Sequence, residues 1–165
     1  MISAEQKCED MKVLEWNFPE DGREINLVLK PKPADARGVP TYWQLNEAGN
    51  PGEAEAYGNM DFKIKSGAGF LTLNVTLDPS EFGFADLEFV DFPGLLQADG
   101  IVPLTQGFRH QFYSRVVSAD KRQLKIKITD LDMVPDNFAF LWFCYSPSAD
   151  AHFVSGDPKA VLTPQ

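Results

Sequence analysis

The chain has 165 residues, 44% of them hydrophobic, with 13 Phe, 4 Tyr and 3 Trp. That content excludes a disordered polymer, which buries too little apolar surface to offset its chain entropy, and one domain over residues 1–165 is expected. Fifteen Lys and Arg against 24 Asp and Glu give a formal net charge of −9, which argues against nucleic acid and anionic membranes as partners, because phosphate affinity needs a basic surface.

Residues 1–10 form a polar extension, with acids where a secretory signal would place basic and then apolar residues. No apolar run approaches the roughly 20 residues that span a bilayer, so a cytoplasmic location is expected. A single turn around residues 4–11 is the one helical candidate. Beyond it the dominant signal is period-two alternation. Residues 13–18 place Leu14, Trp16 and Phe18 on one face, and residues 25–30 repeat the pattern with Ile25, Leu27 and Leu29. Asp21-Gly22 between them predicts a hairpin.

A third run, residues 41–45, precedes residues 46–59, which lack periodicity and read as a long mobile loop. Phe62 and Ile64 alternate with lysines, and residues 66–69 (Ser-Gly-Ala-Gly) read as a hairpin turn into residues 71–77, the cleanest strand. Asp78-Pro79 ends that strand, since proline cannot donate to a continuing ladder. Residues 87–90 are a weaker strand, and residues 91–107 read as a second long loop. Three strands follow at residues 111–118, 123–129 and 138–145, the first two joined by a turn at 118–121. Residues 138–145 are apolar on both faces, as a central strand covered on both sides would be. Pro135, Pro147 and its eight-residue length favour strand over buried helix. The core is expected to centre there, paired with residues 123–129. About eight short strands in sequence predict an all-β fold, an antiparallel β-sandwich.

Chemistry-bearing residues are sparse. His110 and His152 are the two histidines, read as surface or loop residues. Cys8 and Cys144 lie far apart in sequence, and a reduced pair fits an intracellular chain. Nucleophile-elbow, phosphate-loop and zinc motifs are missing, so an enzyme is not expected. A small hydrolase built on paired carboxylates is the third reading, since 24 acids place some pair together by chance.

Asp130, Asp132 and Asp136, with Asn137, could supply oxygens to a calcium ion. The competing reading is that they bond their own backbone in a turn. Tyr42 and Trp43 would form a carbohydrate-stacking platform if exposed, and core if buried. Phe82, Phe84, Phe89 and Phe92, interleaved with acids, either cap one end of the fold or form an apolar patch for a partner. The first expectation is a non-catalytic module that binds a protein partner or a second copy of itself. A carbohydrate- or calcium-binding sandwich using Tyr42 and Trp43 or the Asp130 loop is the alternative.

Two stretches carry a family likeness. Residues 124–131, followed by Asp136-Asn137-Phe138-Ala139-Phe140-Leu141-Trp142, resemble the corner between strands E and F of immunoglobulin-like sandwiches. Phe140 stands where that corner carries tyrosine, and Trp142 replaces the second cysteine. The ending Gly156-Asp157-Pro158-Lys159-Ala160-Val161-Leu162-Thr163-Pro164 resembles the tail of small bacterial sandwich proteins of the DP-EP family, with Thr163 in place of a glutamate. Both resemblances imply a sandwich, and neither implies an activity.

Overall fold

A computed structural model describes residues 12–18, 23–48, 56–64, 71–91, 99–104, 112–128, 136–156 and 159–164. These form an all-β fold. Its strands are β1 (Lys12–Phe18), β2 (Arg23–Lys30), β3 (Gln44–Glu47), β4 (Ala56–Ile64), β5 (Leu71–Leu77) and β6 (Glu88–Phe89). They continue with β7 (Ile101–Pro103), β8 (Phe112–Val116), β9 (Gln123–Ile128), β10 (Asp136–Ser146), β11 (Ala151–Val154) and β12 (Lys159–Pro164). No helix among the described residues is long and apolar enough to cross a membrane.

Hydrogen bonding links the strands in the order β11-β10-β12-β4-β3-β2-β5-β9-β8, with β1 on β4 and with β6 and β7 on β10. The sheet is mixed, which corrects the antiparallel expectation: β1–β4, β2–β5 and β4–β12 are parallel. Side-chain alternation has period two whichever way the neighbour runs, so the sequence pattern carries no direction. Both expected N-terminal hairpins are corrected with it. β1 pairs with β4 and β2 with β3 and β5, so the Asp21-Gly22 segment joins strands that do not pair with each other. β4 and β5 likewise lie on different partners, which removes the hairpin read at residues 66–69.

Among the described residues twelve strands stand against the eight or so expected: β7 lies inside the loop read at 91–107, β11 and β12 follow the last strand read, and β4 begins early, inside the loop read at 46–59. The β8–β9 hairpin is as expected, and Lys121 takes the left-handed conformation (φ 57°) at its turn. Asp120 braces that turn by accepting from Ser118 Oγ at 2.6 Å and from the Arg122 N–H at 3.1 Å. β9 is not hydrogen-bonded to β10, contrary to the expected pairing; it lies between β5 and β8.

The two strands meet in the core instead. Leu27 and Leu29 of β2, Leu73 and Val75 of β5, Leu124 and Ile126 of β9, and Phe140, Trp142 and Cys144 of β10 are buried in one cluster. Only one face of β10 is buried to that degree. Ala139, Leu141, Phe143 and Tyr145 on the other face are half-buried, which corrects the expectation of equal cover on both sides.

Residues 99–104 close the path. The Asp99 N–H donates to Ser114 O at 3.3 Å, Ser114 Oγ donates to Asp99 O at 2.5 Å, and Asp99 Oδ2 accepts from the Val116 N–H at 2.9 Å. One residue on, the Gly100 N–H donates to Val90 O at 2.6 Å, and the Phe143 N–H donates to Gly100 O at 2.8 Å. The outer edge of β8 is thus tied to Val90, the residue after β6, and to β10 through a two-residue seam. Gly100 is required there, because φ is +71° and a Cβ would lie 2.8 Å from Phe89 Cδ1.

Candidate interaction site

Residues 78–87 connect β5 to β6, and the structure pins them from three sides. The Ser80 N–H donates to Asp78 Oδ1 at 3.1 Å and the Phe82 N–H to Pro79 O at 3.1 Å, which fold the loop on itself. Glu81 is held by Lys32 at 2.9 Å and Lys30 at 4.0 Å, both reaching from β2 and its continuation. At the far end, Asp86 accepts the Ser148 N–H at 2.6 Å and Ser146 Oγ at 2.8 Å, and the Arg122 guanidinium donates to Ala85 O. These bonds to Ser148 and Ser146 hold the Asp86 carboxyl below its ordinary pKa.

On this loop Phe82 turns inward and Phe84 outward. Gly83 between them takes φ +103°, a conformation that glycine adopts without the strain an L side chain would add. Phe82 packs edge-on to Trp43 at 6.0 Å between ring centroids and edge-on to Phe153 at 4.9 Å. Phe84 stacks on Phe153 at 5.6 Å with 30° between planes, and remains 39% exposed. The four rings therefore grade from core to surface. Trp43 is 1% exposed and shows no ring face to solvent, while Phe84 is partly open to it.

Phe153 reaches this cluster because β11 folds back along β10, opposite Cys144. Beyond it, the Gly156 N–H donates to Thr41 O at 2.7 Å, and a Cβ at Gly156 would sit 3.0 Å from the Thr41 and Tyr42 backbone. Glycine thus lets the chain after β11 lie directly against the segment that carries Trp43.

Of the residues singled out from the sequence, Trp43, Phe82 and Phe84 come together, and Tyr42 is half-buried beside them. Phe89 lies in the core, and Phe92 falls outside the described residues. Phe153 escaped sequence reasoning; only the cross-strand register of β11 brings it here. Asp130 and Asp132 lie outside the described residues, and Asp136 opens β10, where its backbone pairs with Leu162. His110 and Cys8 are also outside them. His152 is exposed on β11, its ring 4.8 Å from that of Tyr145 and 5.3 Å from that of Phe143. Cys144 is a buried free thiol, and burial followed by the charge of Glu88 pushes its pKa well up.

No family model matches the chain, and no curated protein matches it. A solved structure with a similar course, the inclusion body protein PixA from Burkholderia cenocepacia J2315, is 13% identical over 91% of this chain and 100% of that one, with a TM-score of 0.42.

Proposed function

We propose that this protein is a non-catalytic binding module that engages a protein partner, which a second copy of the chain can be, through the surface formed by Phe84 and Phe153. The observation that carries the reading is an aromatic residue, Phe84, 39% exposed on a loop fixed at both flanks. A ring held in place loses little further freedom when covered, which is the energetic profile of an interface anchor. The architecture that presents it reads as a two-layered β-sandwich of immunoglobulin-like kind. In support, β9 and β10 contribute to one core without pairing to each other, as strands on either side of an immunoglobulin-like corner do.

A photo-crosslinking phenylalanine analogue placed at position 84, with one at the more exposed Val117 as control, tests the proposal in cells of the source organism. The expected result is an adduct at position 84 that added wild-type protein competes away and a Phe84→Ser variant does not. Equal adducts at both positions, or none, overturn it.

A further inference from the structure

We infer that the outer edge of β11 is a strand-addition site for an extended, basic segment of a partner protein. The inference rests on the surface proposed above and goes further by naming the kind of chain that covers it.

The edge is identified by hydrogen-bond parity. The Ser155 N–H donates to Trp142 O at 3.1 Å, and the Trp142 N–H donates to Ser155 Oγ at 2.9 Å, so position 155 faces β10. Alternation along an antiparallel ladder then turns Ala151 and Phe153 toward β10, and the backbone groups of His152 and Val154 away from it. Gly156 is next in the outward series, and its N–H does bond outward, to Thr41 O at 2.7 Å. The N–H and C=O groups of His152 and Val154 have no partner among the described residues.

The two ends of the strand path therefore differ. At β8 a carboxylate occupies the edge, as Asp99 Oδ2 takes the Val116 N–H. At β11 the run Ala-His-Phe-Val holds no proline or lysine, and no side chain among the described residues caps it, the usual means by which an exposed edge is blunted. The open edge adjoins the exposed Phe84, which stacks on the β11 residue Phe153. Unpaired backbone groups beside an apolar ring are what strand addition uses: main-chain bonds supply affinity and the flanking pocket supplies selectivity.

Charge selects the occupant. Asp150 immediately precedes β11, and Asp86 grips Ser148 in the same turn. Asp150, Glu88 and Asp86 all act on Tyr145, the residue directly opposite His152, and Asp150 accepts its phenol at 2.7 Å. A second copy of this chain would bring these acids face to face within a protein of net charge −9, so a basic segment is the complementary occupant.

The full chain is titrated, by fluorescence polarisation, with a panel of short labelled peptides: alternating valine and threonine, one aromatic residue at varied position, and lysine at both ends. At least one lysine peptide is expected to bind, more weakly as salt rises, and its glutamate-ended counterpart to bind roughly tenfold or more weakly. Methylating the amides of alternate residues, which leaves the protein untouched, is expected to abolish binding in one of the two phases. Val154→Pro removes an outward N–H and no β10–β11 bond, so it is expected to keep the melting temperature within a few degrees and weaken binding about tenfold. No binding by any lysine peptide, indifference to amide methylation, or equal binding by Val154→Pro overturns the inference. Self-association that Val154→Pro removes, without peptide binding, overturns it in favour of a second copy. If Phe84→Ser abolishes binding while Val154→Pro does not, the edge inference fails and the Phe84 surface stands. The reverse pattern keeps the edge and removes the surface.

Discussion

The Asp99 carboxylate accepts the Val116 backbone N–H at 2.9 Å, in the place where a neighbouring strand would supply a carbonyl along β8. Asp99 is 8% exposed, so removing it strands a backbone donor with little water to replace the lost bond. Asp99→Ala is expected to cost about 1–3 kcal/mol in urea unfolding and to make light scattering rise with concentration, as the Val116 N–H on the β8 edge is left open. Asp99→Asn keeps an acceptor oxygen and should lose less than half as much. Equal losses in the two variants would show that the acceptor is not what matters at this position.

Gly100, in the same seam, should tolerate no side chain. Its φ of +71° disfavours any L-residue, and the added Cβ would meet Phe89 Cδ1 at 2.8 Å and Leu124 Cδ2 at 3.1 Å. Strain and overpacking together predict a loss of about 2–4 kcal/mol for Gly100→Ala. Gly38, where φ is +80° but nothing lies within 4 Å, should lose only the conformational part, about 1 kcal/mol. Denaturant midpoints of the two variants give the comparison.

Cys144 should resist thiol reagents until the chain unfolds. Its thiol is buried, and desolvation raises its pKa, so the reactive thiolate is scarce. A raised folded pKa means the native state holds its proton longer than the unfolded chain does. Its contribution to stability is therefore intact below the unfolded thiol pKa of about 8.5 and is lost as pH rises from there toward the folded value. In a Cys8→Ser background, labelling by an aromatic disulfide should track global unfolding, and Cys144→Ala should flatten the alkaline side of the stability profile.

The Phe84 loop should loosen in acid. The Ser148 and Ser146 bonds depress the Asp86 pKa, so its bracing is present above the unfolded Asp value of about 3.9 and is lost as pH falls through the lower folded value. The Ser148 amide resonance should titrate with a midpoint below 3.9, and that titration should vanish in Asp86→Asn. A midpoint above the ordinary Asp value would contradict the bracing role.

Much of the strand content is legible in the sequence, and the reason is local. Leu71–Leu77 shows unbroken alternation, and its observed bounds match it. The buried face of β10 is likewise visible as Phe140, Trp142 and Cys144. The strands missed are those whose existence depends on a distant partner: β7, three residues ending in Pro103; β11, flanked by a turn; and β12, which ends in Pro164. Parallel direction is invisible for the same reason, since Arg23 and Leu71 must meet before the choice matters. The site divides similarly. Phe82 and Phe84 stand out through local aromatic density, whereas Phe153 sits alone between His152 and Val154 and acquires meaning only opposite Cys144.

The parallel β4–β12 pairing also bears on how the protein comes to be folded in the cell. β4 is flanked by β1 on one side and by β12 on the other, and Met60 meets Ala160. A ribosome making this chain has released β4 long before β12 exists, and β10 waits for β12 as well. The nascent chain therefore carries β4 with the side that β12 will cover still open until β12 has been made, and pairings so distant in sequence form slowly. Chaperone dependence during translation, rather than marginal stability afterwards, is where such a topology is most exposed to failure.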